Sequence, residues 1–412
     1  KSWDMSRLKV KESLKVRKKM AKLIEITGKA LSGEWGKDDE TGNGVPVLRT
    51  TNFTNEGIID YNSVVTRTIT KKNIGEKFLR KGDIIIEKSG GSDKFPVGRV
   101  VYFDGDDNTY LFNNFTGLLR VKEPKMWYPR YVFYSLFANY KRGGTRMFEN
   151  KTTGLHNLKT DDYVSRYEVT EIDMIEQVSV CDKLDKLYEI INERKQQLEL
   201  LDELVKARFV EMFGDPVTNP MGWEFVTIRE VVTEVRYGTS KPAVENGKYP
   251  YLRMNNLTVD GRLDLNDLKY IDIPKDEVEK CIVRKGDILF NRTNSIELVG
   301  KTAVFDLADD MVIAGYIIRV RLNEKILPEV LAQYMNLEVL KNIFRSMAKG
   351  AVNQANINAQ ELQNVKVYIP DMKLQKQFIE VKNQIDKSKV AIKKSLDETQ
   401  ILFDSLMQKY FG

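Results

Sequence analysis

The stretch PVLRTTNFT at residues 46–54 decides the fold, because it returns as PYLRMNNLT at residues 250–258. A second match follows at the same distance, where RKGDII at 80–85 returns as RKGDIL at 284–289. This period of about 200 residues is several times longer than the roughly 20 to 50 residues of a solenoid repeat. The chain therefore contains two copies of one domain-sized module.

Five shorter matches continue the repeat in the same order, and their spacing drifts by only a few residues. We align 97–99 with 299–301, 118–121 with 317–320, 157–158 with 356–357, 176–177 with 376–377, and 213–214 with 411–412. In this alignment Arg120 corresponds to Arg319. If the two copies bind different ligands, residues that are identical in both stabilise the fold or make a contact that both ligands share.

The composition is that of a globular protein, since 42% of the 412 residues are apolar and 30% are charged. The sequence contains no apolar run long enough to span a membrane and no signal-peptide pattern. Cys181 and Cys281 are isolated from each other, which is typical of a reducing compartment. We therefore expect a cytoplasmic protein without membrane contacts.

The net charge of +6 is carried by residues 1–20, which hold eight lysine or arginine residues and two acidic ones. This basic segment is either a solvated arm or a contact to phosphates. The rest of the chain is neutral overall, so nucleic acid would be bound through local basic loops.

The first part of each copy alternates short β-type runs with helical segments. Runs such as 83–87 and 287–290 end at turn residues, and 128–140 has the apolar spacing of a helix. The predicted fold class is α+β for each copy.

A long stretch with heptad spacing follows each module and predicts a helix of about 40 residues, roughly 60 Å long. Two such helices would bury their apolar stripes by pairing, most simply as an antiparallel coiled coil. The predicted seam consists of Leu184, Leu187, Ile191, Leu198 and Leu201 in the first helix and Phe378, Val381, Ile385, Ile392, Leu402 and Leu406 in the second. All of these except Val381 and Leu402 are also the predicted partner-binding residues at the seam and its flanks. The predicted domains are a basic segment at 1–20, modules at 21–170 and 217–370, and spacer helices at 171–216 and 371–412.

The sequence lacks the usual motifs of an autonomous enzyme. His156 is the only histidine, which excludes multi-histidine metal sites and favours a hydrogen-bonding role for that residue. The segment 300–302 has the ending of a phosphate-binding loop without its first glycine. We expect no catalytic residue, no metal and no cofactor bound by this chain.

Two motif-bearing modules, each followed by a long helix, resemble the specificity subunits of type I restriction–modification systems. The segments GAVNQANIN at 350–358 and IPDM at 369–372 add to the resemblance, which covers the chain from about residue 22. It implies two target-recognition domains in tandem, each reading one half of a split site in double-stranded DNA. It also implies helices that set the spacing and dock two modification subunits, which carry S-adenosylmethionine, and restriction subunits, which use ATP.

Base choice is expected where the two copies differ, in loops rich in lysine, arginine, asparagine and serine. One such stretch is 87–94 against 291–295, and another polar loop precedes the motif at 250–258. The predicted DNA-binding residues are Lys88, Ser89, Lys94, Arg99, Tyr237, Thr239, Lys241, Asn255, Asn256, Arg292, Asn294 and Lys301.

Three other interpretations stay open on the sequence alone. The chain could be a stand-alone DNA-binding scaffold or regulator, which would bind a split site without partners. It could be the specificity half of a single-chain restriction–methylation enzyme, or a nuclease with a degenerate site. A purely structural coiled-coil protein is the third, although such a protein does not need two duplicated globules with polar loops.

Overall fold

The computed structural model describes residues 19–152, 155–351 and 354–412. The chain divides into a first unit, up to residue 192 together with 396–412, and a second unit, 193–395. The basic segment at 1–20 lies outside the described residues except for its last two.

The first unit is an α+β globule whose elements follow the predicted order. Its strands are β1 Met20–Lys22, β2 Leu31–Ser32, β3 Lys37–Asp38, β4 Val45–Leu48, β5 Val65–Thr68, β6 Ile84–Glu87, β7 Ser89–Gly90, β8 Val100–Tyr102, β9 Leu111–Phe112, β10 Thr116–Leu119, β11 Glu149–Thr152, β12 Leu155–Leu158 and β13 Glu168–Thr170. Its helices are α1 Leu23–Thr27, α2 Pro129–Lys141, α3 Thr160–Arg166 and the start of α4 Met174–Phe213. The strands form the sheets β2-β10-β6-β8, β3-β5-β4-β9, β11-β12-β7 and β1-β13.

The second unit repeats this plan with small changes. Its strands are β14 Glu224–Thr227, β15 Val232–Tyr237, β16 Tyr249–Leu252, β17 Lys269–Ile271, β18 Ile282–Val283, β19 Ile288–Asn291, β20 Thr293–Asn294, β21 Thr302–Val304, β22 Met311–Ile313, β23 Ile317–Leu322, β24 Lys349–Ala351, β25 Gln354–Asn356 and β26 Lys366–Ile369. Its helices are α5 Lys275–Cys281, α6 Pro328–Met335, α7 Glu338–Met347, α8 Ala359–Gln363 and α9 Met372–Phe411. The sheets are β15-β23-β19-β21, β17-β16-β22-β18, β20-β25-β24 and β14-β26.

Strand register corrects one pair of the sequence alignment. In the first unit Leu119 lies opposite Ile84, and Arg120 follows it and binds Asp83 with its Nε 2.8 Å from Oδ1. In the second unit the residue opposite Ile288 is Val320, so the arginine that follows is Arg321. Its Nε lies 2.9 Å from Oδ1 of Asp287. Arg120 therefore corresponds to Arg321 and not to Arg319.

Arg319 is fully buried and has a different role. Its Nη2 donates to Oε2 of Glu234 at 2.7 Å, and its Nη1 donates to the carbonyl of Ile282. The sequence alignment was wrong by two residues because it matched two neighbouring arginines on one face of the strand, where side chains alternate with period two.

A buried glutamine fixes the start of each long helix. The Gln177 amide accepts from the Tyr128 backbone N–H at 2.8 Å and donates to the Met126 carbonyl at 2.9 Å. The Gln375 amide accepts from the Leu327 N–H at 2.9 Å and donates to the Lys325 carbonyl at 3.1 Å. Gln177 thus corresponds to Gln375, and the alignment of 176–177 with 376–377 was wrong by two residues.

Each unit's core combines the module with the beginning of one long helix and the end of the other. In the first unit Leu184 and Ile191 of α4 are buried in one cluster with Phe403, Met407 and Phe411 of α9. In the second unit the corresponding cluster contains Phe378 and Ile385 of α9 together with Val205, Phe209 and Phe213 of α4.

The remaining seam residues are less buried. Leu187 and Leu406 pack at the margin of the first core, and Leu201 and Val381 at that of the second, while Leu198 and Ile392 are half-buried. Leu402 is 48% exposed, whereas the next residue, Phe403, is buried. The prediction for Leu402 was wrong because a helix with 3.6 residues per turn drifts by about 20° per heptad from a strict seven-residue repeat. In the described part of the chain, no helix is long and apolar enough to cross a membrane.

Candidate nucleic-acid interface

A small three-stranded sheet in each unit brings the divergent loops to one surface. In the first unit β7 pairs with β12, which places Ser89 opposite Asn157. In the second unit β20 pairs with β25, which places Thr293 opposite Asn356 and Asn294 opposite Ala355. The loops in which the copies differ therefore lie beside the segments that carry the 350–358 motif and its counterpart.

Two of the predicted DNA-binding residues meet on this surface in the second unit. The guanidinium of Arg292 lies over the ring of Tyr237, 5.0 Å from its centroid. The Tyr237 hydroxyl accepts from the Ala359 backbone N–H at 2.8 Å, at the beginning of α8. Tyr237 is 44% exposed, so the pair borders solvent while both of its members are held in place.

Lys88 occupies the position in the first unit that Arg292 occupies in the second. Its Nζ donates to Oγ of Ser32 at 2.6 Å, and burial lowers the pKa of its ammonium group. Ser32 lies opposite Gly117 on β10, as Tyr237 lies opposite Ile318 on β23.

The central strand of each sheet, β10 in the first unit and β23 in the second, shows that these positions are equivalent. Gly117 and Ile318 also face Ile86 and Phe290, which lie two residues before Lys88 and Arg292 respectively. The pairs Lys88–Ser32 and Arg292–Tyr237 are therefore alternative side chains on one scaffold.

An exposed aromatic residue adjoins each pair and was missed by the sequence reasoning. Phe115 is 51% exposed and its carbonyl accepts from the Lys88 N–H at 2.8 Å. Tyr316 is 49% exposed and its carbonyl accepts from the Arg292 N–H at 2.9 Å. The two lie 201 positions apart in the sequence rather than the 204 of the flanking motif, so a comparison at constant offset does not pair them.

Arg99 and Lys301 are equivalent residues that serve the fold. Arg99 donates to the carbonyls of Phe53 and Thr50 at 2.7 and 2.9 Å. Lys301 is buried, which lowers its pKa, and its Nζ donates to the carbonyl of Met254 at 2.8 Å. Each cation holds the short turn within the 46–54 or 250–258 motif, so we leave both out of the proposed DNA surface.

Asn256 is also occupied inside its unit. Its Oδ1 accepts from the Arg253 N–H at 2.8 Å and its Nδ2 donates to the Asp264 carbonyl at 2.8 Å. Asn52 makes the same two bonds in the first unit, to Arg49 and Asp60. We leave Asn256 out as well, whereas its neighbour Asn255 is exposed.

The other predicted residues lie around the two pairs or at a distance from them. Asn294 donates through Nδ2 to Oδ1 of Asn291 at 2.8 Å, and Ser89 is hydrogen-bonded to Asn157. Lys241 is paired with Glu277 at 2.8 Å, and the Thr239 hydroxyl accepts from the Lys241 N–H at 3.2 Å. Lys94 is exposed, and its Nζ lies 5.3 Å from the ring centroid of Phe95.

The lone histidine lies on the same small sheet. His156 is opposite Gly90 on β7, and its Nδ1 lies 3.1 Å from Oε2 of Glu149. It is thus a hydrogen-bonding residue of the sheet. Across the described ranges, no group of three His, Cys, Asp or Glu side chains is arranged to hold a metal ion.

Comparison with known proteins gives concordant matches. Residues 220–400 match the family described as the type I restriction modification DNA specificity domain. A putative type I restriction enzyme MjaX specificity subunit from Methanocaldococcus jannaschii is 30% identical over 196 residues. That match covers 47% of this chain and 46% of the relative, so the chain spans about half the length of this relative.

Two longer matches extend over most of the chain. The type I restriction enzyme EcoKI specificity subunit of Escherichia coli is 22% identical over 401 residues, covering 89% of this chain and 82% of that protein. The crystal structure of a type I restriction–modification S subunit from M. genitalium superposes with a TM-score of 0.55 at 15% identity, covering 98% of each chain. At that identity the structural match shows a shared fold.

Proposed function

We propose that the chain is a specificity subunit of a type I restriction–modification system and that it selects the DNA sequence at which a methyltransferase complex acts. The similarity of residues 220–400 to the specificity domain and of the chain to two specificity subunits supports this proposal. Each of its modules, here called the first head (21–170) and the second head (217–370), reads one half of a split site. The chain itself catalyses no step and binds no cofactor. S-adenosylmethionine belongs to two modification subunits, and ATP to the restriction subunits.

One observation carries this proposal. The two heads present different polar side chains, Lys88 with Ser32 and Arg292 with Tyr237, at the same place on the same scaffold. A protein that reads two different half-sites needs this combination, because phosphate contacts and fold can be shared while base contacts must differ.

The long helices are proposed to pair as an antiparallel coiled coil that sets the distance between the half-sites. Contacts inside the second unit support this arrangement. Phe209 packs against Phe378 with ring centroids 5.3 Å apart, and Asp202 forms an ion pair with Lys389. Residue numbers thus fall along one helix as they rise along the other.

Apolar side chains on the outer faces of these helices support a docking role for partner subunits. Ile175 and Leu200 of α4 are 84% and 60% exposed, and Val390 and Ile401 of α9 are 70% and 69% exposed. Exposed apolar residues that recur along a helix are typical of an interface with another protein.

A methylation map of the host chromosome, with and without the gene for this chain, tests the proposal. We expect adenine methylation at one split motif, with two short half-sites and a fixed gap, to disappear when the gene is deleted. An unchanged map in a host whose modification subunits are expressed would contradict the proposal. Tight binding of a split site by the purified chain, without any modification subunit in a pull-down, would support a stand-alone scaffold instead.

A further inference from the structure

We propose that Arg292 reads a guanine in the half-site of the second head, and that Lys88 is the corresponding base-reading residue of the first head. This inference rests on the proposed function and names the residue pair that sets one base of each half-site.

Arg292 has no acidic partner among the described residues. Most other arginines of the second unit are paired with carboxylates, namely Arg208, Arg236, Arg253, Arg262, Arg284, Arg319, Arg321 and Arg345. Arg194 and Arg229 instead donate to the side-chain amides of Gln197 and Asn364 at 2.8 and 3.2 Å. Among the described residues, the guanidinium of Arg292 has only the Tyr237 ring and one long hydrogen bond, from Nη1 to the Gly315 carbonyl at 3.4 Å. Its Nε is buried and has no hydrogen-bond partner there. The donors left for a ligand are therefore those of Nη2, for which the described residues provide no acceptor, and of the weakly bonded Nη1.

The ring that supports Arg292 is preorganised. The Tyr237 ring is fixed at its outer end by the Ala359 N–H and at its backbone by pairing with β23. A guanidinium held over such a ring has less freedom to reorient its fork of N–H donors, which lowers the entropy cost of binding. A planar fork in a fixed orientation matches the O6 and N7 acceptors of guanine in the major groove.

Lys88 occupies the equivalent position in the first head. Its ammonium is held by Ser32 from the strand that supplies Tyr237 in the other head, and no carboxylate pairs with it in the described residues. Within the described residues, each head thus places one cation without an ion-pair partner beside an exposed aromatic side chain, and a residue of β2 or β15 supports that cation. The cation and its support differ between the heads, as expected of residues that distinguish two half-sites.

The experiment is a methylation map of cells in which the full complex carries Arg292→Ala. We expect one position of one half-site to lose its requirement for guanine, with methylation of the substituted sites rising at least about tenfold relative to wild type. The gap and the other half-site should be unchanged. Lys88→Ala should relax one position of the other half-site.

Two further variants keep the test decisive. Arg236→Gln removes an exposed arginine next to Tyr237 whose side chain lies on the opposite face of β15, and it should leave the motif unchanged. Arg292→Lys keeps the charge without the planar fork and should relax the same position less than Arg292→Ala does. Co-purification with the modification subunits and the thermal midpoint identify variants that fail to fold.

The outcomes distinguish a failure of the assignment of Arg292 from a failure of the proposed function. The assignment of Arg292 would be overturned if the folded Arg292→Ala complex still required the same base at every position of the split motif. The proposed function would then still stand. Relaxation at several positions of both half-sites would also overturn the assignment. A wild-type complex without any split motif would overturn the proposed function, and the base assignment with it.

Discussion

The same helical position is apolar in the first unit and charged in the second. Ile191 of α4 and Lys389 of α9 stand at equal distances from the first residue of their helices, and both are almost fully buried. Ile191 packs in an apolar cluster, whereas Lys389 pairs with Asp202, which also lies 3.4 Å from Arg262. The carboxylate of Asp202 compensates the charge of the buried Lys389, and an apolar cluster needs no such partner. The repeat thus preserves geometry and permits a change of chemistry.

The ends of the two long helices differ from their middle, because equivalent hydrogen bonds attach both helices to the modules there. Gln177 and Gln375 fix the two starts through the same hydrogen bonds. Phe213 and Phe411 stand at the two ends, and a side chain of the module donates to each carbonyl, Trp223 at 2.8 Å and Arg142 at 2.7 Å. The attachment of helix to module is the invariant part of the design.

The largest effect is expected from Phe209→Ala. Phe209 is fully buried and contacts the rings of Phe213 and Phe378, so its removal leaves a cavity in the second unit. We expect the unfolding free energy of that unit to fall by about 3–5 kcal/mol, measured by urea denaturation. Leu200→Ala, at an exposed position of the same helix, should change it by less than about 0.5 kcal/mol. Equal effects of the two variants would contradict the described core.

An intermediate and equal effect is expected from Gln177→Ala and Gln375→Ala. The two amides also donate to the carbonyls of Ile172 and Pro370, each at 2.9 Å. Each substitution therefore leaves one backbone N–H and two carbonyls without their partner, which costs about 1–3 kcal/mol. The measurement is the denaturation midpoint of each variant against wild type. If only one of the two variants lost stability, the two glutamines would not contribute equally to stability despite their shared hydrogen bonds.

The smallest effects test the central difference between the units. Lys389→Ile introduces the residue type of the first unit and leaves Asp202 paired with Arg262, so we expect a change within about 1 kcal/mol. Asp202→Asn leaves the buried Lys389 without its carboxylate and should destabilise the second unit more than Lys389→Ile does. Denaturation at two salt concentrations measures both. A larger loss of stability in Lys389→Ile than in Asp202→Asn would contradict this account. It would show that the ion pair stabilises the second unit beyond compensating the charge of Lys389.

The internal repeat made most of the fold predictable. Two α+β modules, each followed by a long helix, follow from the motifs at 46–54 and 80–85 and from the heptad spacing. Register was the weak point, because the segments between motifs differ in length, and this displaced Arg120 and Gln177 by two residues from their true counterparts. A gapped comparison anchored on Asp83 and Asp287 would have found them.

The candidate site was predictable in part, for a physical reason. Divergence between the copies pointed to Lys88 and Arg292, which the structure places at one equivalent position. The supporting Ser32 and the exposed Phe115 come from distant strands and carry no sequence signal of their own. Lys301 was predicted to bind DNA, whereas the structure buries it against backbone carbonyls. The sequence does not reveal this burial, because it arises only when distant segments pack together.

The most direct test of the account is to exchange residues 223–370 for the corresponding head of a specificity subunit with a different target, and then to map methylation in the same host. We predict a hybrid motif in which one half-site is replaced while the other half-site and the gap are retained. A change in both half-sites, or in the gap alone, would contradict the claim that each head reads its own half of the DNA site.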